Sequence, residues 1–426
     1  MKNWEERLYF AGLDWASDHH DLLVVDKQGQ VQSVLRFTHN EDGWEKARAE
    51  LARFGSIAVA VETSYGTLIE KLLACGCEVF PVHPFAAKRY RERKAPSGVK
   101  DDQLDAWSLA DALRVDGHGW KPLCVQDPIL AELRLLCRDE VVLIEQRTAL
   151  VNQLQAALRE YYPAALEAFE DWTLQSSWQF ILRFATPALL VKAGKRQWEK
   201  FLHAHRLWRP QTVGARMEIF ARAERFCAGT AITAAKSLQA VSLCKVLVTL
   251  EAQLKIYRER IEELFKKHPD HHLFGSLPGA GPKLAPRLLS EIGNERERFP
   301  DFSSLQCYAG TAPVTKRSGK DRKCSTAPSG QKANAIHVFR RSADPALRAA
   351  VHLWSDLSRK KCAWAQAYYK AHRNKGQSHA CALRCLGQRW LKILWKMWHS
   401  HTLYDEALHT RNQTQHGSWV LQLKPS

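Results

Sequence analysis

The amino-acid sequence predicts an α/β domain followed by a long coiled-coil middle and a mostly helical C-terminal domain. Three observations support this fold class: short apolar runs alternate with helical stretches in residues 1–124, two long apolar stripes at helical spacing follow, and positive charge is concentrated in the last third. At roughly 100–200 residues per domain, the chain has room for two or three domains. We place them at residues 1–124, 125–265 and 266–426.

The first third contains five predicted strands and four predicted helices. Short apolar runs predict the first two strands, alternation predicts the third, and the continuous apolar run at 57–61 is typical of a strand buried on both faces. Three strands that read as antiparallel, followed by helix, strand, helix, strand and helix, form the element order of the ribonuclease H-like fold. The strands are expected at residues 9–13, 22–25, 31–37, 57–61 and 79–82, and the helices at 41–54, 67–74, 85–93 and 102–115.

The middle third is predicted to be helical. One apolar stripe runs through residues 133–158 and is interrupted by Glu140 and Arg147, whereas a second runs unbroken from Leu243 to Leu264. The second has the 4-3 spacing of a coiled-coil seam over about three heptads. Such a seam packs against a partner chain or within a bundle of the same chain, and the sequence leaves both open. Residues 161–235, rich in Trp and Arg, show no clean period and stay unassigned.

The charge of the chain is distributed unevenly. The formal net charge is +17, and residues 1–124, 125–265 and 266–426 contribute −3, +3 and +17. A strongly basic protein usually has a polyanionic partner, most often nucleic acid. We therefore expect the last third to bind nucleic acid and the slightly acidic first third to have another role.

Composition excludes several classes of protein. With 45% hydrophobic and 25% charged residues, the chain is neither disordered nor fibrous. The eleven cysteines include no CxxC pair, which favours free thiols over zinc sites or disulfides. No uninterrupted apolar run reaches about 18 residues and the N-terminus lacks a signal-peptide core, so we expect a soluble, cytoplasmic protein without a membrane partner.

Four carboxylates occupy positions that predict a metal site. Asp14 ends the first strand, Glu62 follows the buried strand, and Asp102 and Asp105 are three residues apart on one helix face. Gathered together, these groups would repel one another, and a divalent cation would remove that cost. Carboxylate oxygens suit Mg²⁺ or Mn²⁺, and two such ions can stabilise the attacking and leaving oxygens at a phosphodiester. By contrast, Asp18, Asp21, Asp111 and Asp116 are expected to be surface or turn residues.

Two segments of the last third are candidates for binding phosphate. A glycine-containing turn at residues 276–282, with Gly279 and Gly281, precedes a predicted helix and would present backbone N–H groups to an anion. The second segment, residues 316–323, is basic and contains Ser318 in a Ser-Gly pair, and a helix is expected to begin near Ala335. Five cations flank the serine: Lys316, Arg317, Lys320, Arg322 and Lys323.

The sequence resembles the DEDD transposases of Piv-type insertion sequences, which are recombinases with a RuvC-like N-terminal domain and a second transposase domain. The similarity covers about residues 1–160 and 240–345. It is carried by these segments in order: Gly12-Leu-Asp14-Trp-Ala16 with His20, Val61-Glu62-Thr63-Ser64-Tyr65-Gly66, Lys100-Asp101-Asp102-Gln103-Leu104-Asp105-Ala106, Leu277-Pro-Gly-Ala-Gly281, Leu289-Ser-Glu-Ile-Gly293, Phe299, and Tyr308-Ala-Gly310-Thr-Ala-Pro313 with Ser318-Gly319 after four further residues.

The resemblance implies a DNA recombinase whose four carboxylates, Asp14, Glu62, Asp102 and Asp105, bind Mg²⁺. It implies that Ser318 attacks the DNA phosphate and forms a phosphoserine intermediate. It further implies an element-encoded bridge RNA that pairs with double-stranded donor and target DNA, and dimers that assemble into a tetramer through the coiled-coil segment.

Other interpretations of the same residues stay open. A Ser-Gly pair in a basic loop is often only a turn, and Ser325 and Ser329 are nearby alternatives to Ser318. The carboxylates could instead activate water, as in a structure-selective nuclease of the Holliday-junction resolvase kind. A nucleic-acid-binding scaffold with no enzymatic role is the third possibility.

Overall fold

The structure is a computed structural model that describes residues 4–63, 66–95, 101–123, 127–226, 228–317, 335–415 and 417. It divides into two compact units. One comprises Met1–Asp127 and Gln306–Asp344, and the other comprises Pro128–Leu305 and Pro345–Ser426. The three-part division expected from the sequence stays a prediction.

The first unit is built on a mixed five-stranded sheet, which confirms the predicted α/β class. Its strand order is β3-β2-β1-β4-β5. Strand β1 is antiparallel to β2 and parallel to β4, and the other neighbouring pairs are β2–β3, antiparallel, and β4–β5, parallel. The strands are β1 (Tyr9–Trp15), β2 (His19–Asp26), β3 (Val31–Thr38), β4 (Ala58–Val61) and β5 (Glu78–Pro81).

The helices of this unit cover the two faces of the sheet. Alternation along β1 sends Ala11 and Leu13 into one apolar cluster and Phe10 into the other. The second cluster includes Ala106 and Leu109 of the fourth helix, so this helix lies on the Phe10 face of the sheet. The helices are α1 (Glu41–Ala52), α2 (Thr67–Ala74), α3 (Pro84–Lys94) and α4 (Asp102–Asp116), in agreement with prediction.

Gly12 allows β1 and α4 to approach closely. A Cβ atom at this position would lie 2.0 Å from the carbonyl oxygen of Ala106 and 2.5 Å from the amide nitrogen of Ala110. Both contacts are with backbone, which cannot rotate away as a side chain could. The absence of a side chain at Gly12 therefore sets the distance between the sheet and α4.

His20 is a fully buried titratable residue of β2. Its ring stacks on Trp15, with ring centroids 5.8 Å apart, and its Nε2 atom shares a 2.8 Å hydrogen bond with Nδ1 of His39. Burial and the neighbouring His39 and His19 lower the pKa of His20 to about 4. The ring is therefore neutral at pH 7.

Two long helices run through the second unit, α5 (Pro128–Tyr161) and α10 (Thr230–Lys267). They pack along each other, and the predicted seam of α10 contributes Leu247, Leu254 and Ile261 to the buried core. Thus seam residues of α10 are used within the chain, and a coiled coil between chains stays a prediction.

The two residues that interrupt the stripe of α5 form ion pairs. Arg147 binds Glu251 at 2.7 Å, and the buried Glu140 is 3.2 Å from Arg258 and 2.7 Å from Arg287. These contacts connect α5 to α10 and to the later helix that carries Arg287. Because removal of one partner would leave a buried charge unpaired, the pairs favour one register of the helices.

The segment that the sequence left unassigned is a helical cluster between α5 and α10. Its apolar core is aromatic: the Phe180 and Phe220 rings stack with centroids 5.2 Å apart, and the buried Trp178 donates its indole N–H to the carbonyl of Trp172 at 2.8 Å. The Trp-rich composition of residues 161–235 therefore fills a core. The helices are α6 (Pro163–Ala168), α7 (Gln175–Arg183), α8 (Pro187–Ala204) and α9 (Pro210–Ala221).

The turn containing Gly279 is packed against another helix. Gly279 has a φ of 78°, and a Cβ there would lie 2.6 Å from the backbone nitrogen of Ser358. Trp354 donates its indole N–H to the carbonyl of Pro278 at 3.0 Å. The remaining helices of the second unit are α11 (His271–Gly275), α12 (Gly281–Ile292), α14 (Pro345–Ser358), α15 (Ala363–Asn374), α16 (His379–Ser400) and α17 (Glu406–Gln415). The division between the two units falls inside α13 (Phe302–Tyr308), after Leu305.

One secondary-structure prediction in the last third is wrong. A helix was expected to begin near Ala335, whereas Ala335–Val338 is a strand, β7, that pairs antiparallel with β6 (Val314–Arg317). The pairing is non-local, so it leaves no helical or hairpin signal near Ala335.

Helix α10 is long and apolar enough to cross a membrane by composition, with a mean hydropathy of 1.4 in its most apolar window. One such helix is weak support for a membrane span. The helix packs along α5, with an ion pair between Arg147 and Glu251, and 22% of its most apolar window is buried.

We expect Gly12→Ala to destabilise the first unit by about 1–3 kcal/mol or more, because the new Cβ forces β1 and α4 apart. The measurement is the free energy of unfolding in urea. Gly119→Ala is the matched control, since a Cβ there meets no atom within 4 Å. Equal stabilities of the two variants would show that the β1–α4 distance is not fixed by Gly12.

We expect stability to fall as the pH drops below about 6.5, by up to about 1.4 kcal/mol per pH unit through His20 alone. Between pH 6.5 and its folded pKa of about 4, His20 binds a proton in the unfolded chain and not in the folded chain. Urea unfolding at pH 7 and pH 5 measures the difference. His20→Phe should reduce this difference, and the exposed His118→Asn should leave it as in the wild type.

Candidate active site

The candidate site lies where β1 and β4 end and β2 begins, beside the start of α4. Register places Asp14 opposite Asp21 on β2, and Leu13 beside Val61 on β4. Asp14 is the next residue of β1 and Glu62 directly follows β4, so alternation assigns both to the face that packs on α4. The strand ends therefore supply carboxylates to one face of the sheet.

Helix α4 brings the other two predicted residues to this region. Asp102 and Asp105 are in its first turn, and the close packing at Gly12 holds α4 against β1. The Asp105 carboxylate is buried and accepts two hydrogen bonds, of 2.7 and 2.9 Å, from the Nη1 atom of Arg91 on α3. This contact raises the pKa of Arg91, whose charge also interacts with that of Glu62.

A second arginine connects the helix to the sheet. Arg36 on β3 donates from Nε and Nη2 to the buried Asp21 carboxylate at 2.9 and 2.8 Å, and from Nη2 to Asp102 at 3.1 Å. The hydrogen bond to Asp21 raises the pKa of Arg36. Asp102 also lies 3.7 Å from Nε2 of His19. Arg36 and Arg91 thus balance part of the negative charge of the site.

Three side chains of the site lie close enough to share one cation. One ligand atom from each of His19, Asp21 and Asp102 lies within 4.8 Å of the others, and in the described part of the chain no other such group of three occurs. Ligands on opposite sides of a Mg²⁺ ion are about 4 Å apart, because each metal–oxygen bond is about 2.0–2.1 Å. The oxygen donors and their spacing therefore fit a hard divalent cation.

This compact group contains only one of the four carboxylates predicted from the sequence, Asp102. Asp105 is instead engaged by Arg91, and Asp14 and Glu62 belong to the same edge of the sheet through strand register. The sequence missed Asp21, which was expected at a turn or edge and is buried on β2. Its position across from Asp14 in an antiparallel pair was the available signal.

A further acidic residue was also placed wrongly by the sequence. Asp111 was expected on the surface, whereas it is buried on α4 and binds Arg93 and Arg114. It lies two turns beyond Asp105 and holds α4 to its surroundings. Its contacts support a structural role.

The candidate nucleophile, Ser318, lies outside the described residues, as do Lys320, Arg322 and Lys323. Lys316 and Arg317 are residues of β6, and only their backbone is described. The two candidate phosphate-binding glycines differ: Gly279 packs on the backbone of Ser358, while a Cβ on Gly281 would meet nothing within 4 Å.

Comparison with known proteins agrees with this geometry. Residues 11–163, which include all four predicted carboxylates, match a transposase family model of DEDD type, and residues 271–333, which include Ser318, match the model of the IS116/IS110/IS902 transposase family. The first match covers the sheet and the helices through α5, and the second lies in the last third.

Relatives extend the similarity over nearly the whole chain. The transposase assigned to the IS117 mini-circle of Streptomyces coelicolor is 33% identical over 415 residues, covering 95% of this chain and 97% of its own. The 43.6 kDa protein of insertion element IS110 from the same organism is 27% identical over 96% of this chain and 98% of its own, and the 42 kDa protein of IS900 from Mycobacterium paratuberculosis is 26% identical over 94% and 98%.

A family model that spans the carboxylate-bearing sheet and a relative at 33% identity across almost the full length lead to one conclusion. The chain belongs to the IS110 family of insertion-sequence transposases, enzymes that cut and rejoin DNA.

Proposed function

We propose that this transposase cuts and rejoins DNA through Ser318, assisted by a divalent metal ion at the carboxylate site. The observation that supports the metal site is the approach of His19, Asp21 and Asp102 to within 4.8 Å of one another, at the edge of the sheet to which Asp14 and Glu62 also belong. When bound, Mg²⁺ or Mn²⁺ would stabilise the charge that develops on the reacting phosphodiester.

The chain's own residues hold the ion and position the helix. Asp14 and Glu62 would bind it from the sheet, and Asp102 and Asp105 would bind it from α4. Arg91 and Arg36 would then lose part of their carboxylate contacts and become free to bind phosphate, for which a guanidinium is well suited. The arginines therefore neutralise the site until metal and DNA arrive.

The serine step is a transesterification. The Ser318 hydroxyl oxygen forms a bond to phosphorus while a phosphorus–oxygen bond to deoxyribose breaks, and the hydroxyl proton passes to a base as the sugar oxygen gains one. Support comes from the match of residues 271–333 to the family and from the basic composition of residues 316–323. Lys316, Arg317, Lys320, Arg322 and Lys323 would hold the phosphates on either side.

Two further parts of the proposal rest on family membership. A bridge RNA encoded by the element would pair with donor and target DNA and select the sites, and two dimers would form a tetramer around them. The net charge of +17 in residues 266–426 supports the binding of more than one nucleic acid.

A recombination assay with purified protein, guide RNA, donor DNA and target DNA tests the chemistry. Ser318→Ala should reduce strand exchange at least about a thousandfold and remove any protein–DNA adduct that survives denaturation. Asp14→Asn should also abolish exchange. Ser325→Ala, Ser329→Ala and the exposed Asp18→Asn are the controls, and each should retain activity.

The same assay separates the alternatives. Cleavage that continues in Ser318→Ala and stops in Asp14→Asn would indicate a nuclease that activates water. If neither substitution affects anything but affinity, the carboxylates have no catalytic role. Omission of the RNA should abolish strand exchange. A change in the sequence of the RNA loop should change the target that is chosen, and an unchanged target would contradict guidance by RNA.

Binding of metal is tested by thermal unfolding. Arg36→Gln removes the guanidinium that pairs with both Asp21 and Asp102, so the variant should unfold at a lower temperature than the wild type. Millimolar Mg²⁺ should raise its midpoint more than that of Arg53→Gln, an exposed arginine paired with Glu50 on α1. Equal Mg²⁺ shifts in the two variants would argue against a cation at this site.

A further inference from the structure

The second unit contains a cavity that the proposed chemistry does not use. It has a volume of 370 Å³ and lies between α16, the connection through residues 401–405, and α17. Pockets for small molecules have volumes of about 300–1,000 Å³, so this one has room for a single small group.

The walls of the cavity are aromatic. Trp364 and Tyr368 come from α15, and Tyr404 and His409 face them from the C-terminal side. Trp364 donates its indole N–H to the Tyr404 hydroxyl at 3.0 Å, and its ring lies 4.8 Å from that of His409. Burial lowers the pKa of His409, so its ring in the cavity wall is uncharged at pH 7. These rings form a rigid surface for stacking.

Cations line one side of the same cavity. Arg389, Lys392 and Lys396 are three and four residues apart, so they share one face of α16, and all three are exposed. Arg389 lies over Tyr368 and Lys392 lies over Phe302, at 5.7 and 4.7 Å from the ring centroids. A ligand in the cavity would thus meet positive charge next to its aromatic walls.

The carboxylate that lines the cavity is bound by backbone N–H groups. Asp405 accepts hydrogen bonds from the backbone N–H groups of Ala407 and Leu408, at 2.8 and 3.1 Å, and so caps the start of α17. The amides of Asn412 and Gln413 add uncharged donors and acceptors from the next turns of that helix. The site therefore combines a stacking surface, amide groups and cations.

We propose that this cavity binds one unpaired nucleobase, with the adjoining phosphate held by Arg389 and Lys396. Every nucleobase has a flat face that stacks on aromatic rings. The phosphate of the same nucleotide is separated from the base by one sugar, and a cation at that distance would bind it. A purely apolar ligand would not explain the three cations, and an inorganic anion would not need the aromatic walls. The inference rests on the proposed function only in that the chain acts on nucleic acid.

The test compares two single-stranded oligonucleotides of equal length and charge, one intact and one with a single abasic position in its centre. Binding to the full chain is measured in EDTA by fluorescence anisotropy, so the metal site and Ser318 are not needed. We expect the intact strand to bind about tenfold more tightly, in line with the effect of removing one base–aromatic stack. Equal affinities would overturn the proposal.

Two variants locate the binding in this cavity. Trp364→Leu removes a stacking ring, and Asn412→Trp, at an exposed position of α17, fills the cavity without disturbing buried residues. Both should abolish the preference for the intact strand. Trp208→Leu, a partly exposed tryptophan outside the cavity, should keep it. A preference that persists in both cavity variants would overturn the proposal even if Trp364→Leu folds poorly.

A separate measurement tests the role of the cations that line the cavity. Lys396→Ala should weaken binding of the intact and abasic strands equally and reduce the salt dependence by about one phosphate contact. Lys361→Ala, an exposed lysine that does not line the cavity, should leave the affinity near that of the wild type. An equal loss in both lysine variants would show that the cations act without a defined site and would overturn the phosphate contact.

The same comparison of intact and abasic strands, made once with DNA and once with RNA, identifies the source of the ligand. If only the RNA strands show the tenfold preference for the intact strand, the cavity binds RNA. If only the DNA strands show it, the cavity binds a DNA end. Because this assay reads binding alone, a failed recombination assay would leave its result intact, and the reverse also holds.

Discussion

The close contact between β1 and α4 is the constraint on which the candidate site depends. Gly12 lacks the side chain that would collide with the backbone of Ala106, so the first turn of α4 is held against the end of the sheet. Asp102 and Asp105 come from that turn, and Asp14 is two residues beyond Gly12 on the strand. One residue without a side chain thus determines where carboxylates from two elements can meet.

The charge of the site follows from this packing. Carboxylates crowded at one edge of a sheet would repel one another, and Arg36 and Arg91 offset that repulsion from β3 and α3. The two arginines have different settings: Arg36 is largely exposed, whereas Arg91 is mostly buried against Asp105. Release of Asp102 from Arg36 should therefore cost less free energy than release of Asp105 from Arg91.

Much of the first unit could be predicted from the sequence. The strand at Ala58–Val61 is a continuous apolar run, and the i, i+3 spacing of Asp102 and Asp105 follows from helix geometry. The contact between Asp21 and Arg36 could not be predicted, because the partner of a long flexible side chain depends on which strands become neighbours. The strand at Ala335–Val338 was missed for a similar reason, since its partner, Val314–Arg317, is not adjacent to it in the sequence. The helices of residues 161–235 are short or interrupted, so each repeats an apolar period only a few times: α6 has 6 residues, α7 has 9, and Gly194 breaks α8 with a φ of 73°.

The order of the elements along the chain has a consequence for synthesis. The five-stranded sheet and α4 are complete by Asp116, and β1, β2 and β3 pair with near neighbours in sequence. In contrast, α5 must wait for α10, about a hundred residues later, before its apolar face is covered. On the ribosome, the carboxylate edge can therefore fold while the segment that contains Ser318 has not yet been translated. A nascent chain would then carry the proposed metal site before its proposed nucleophile has been made.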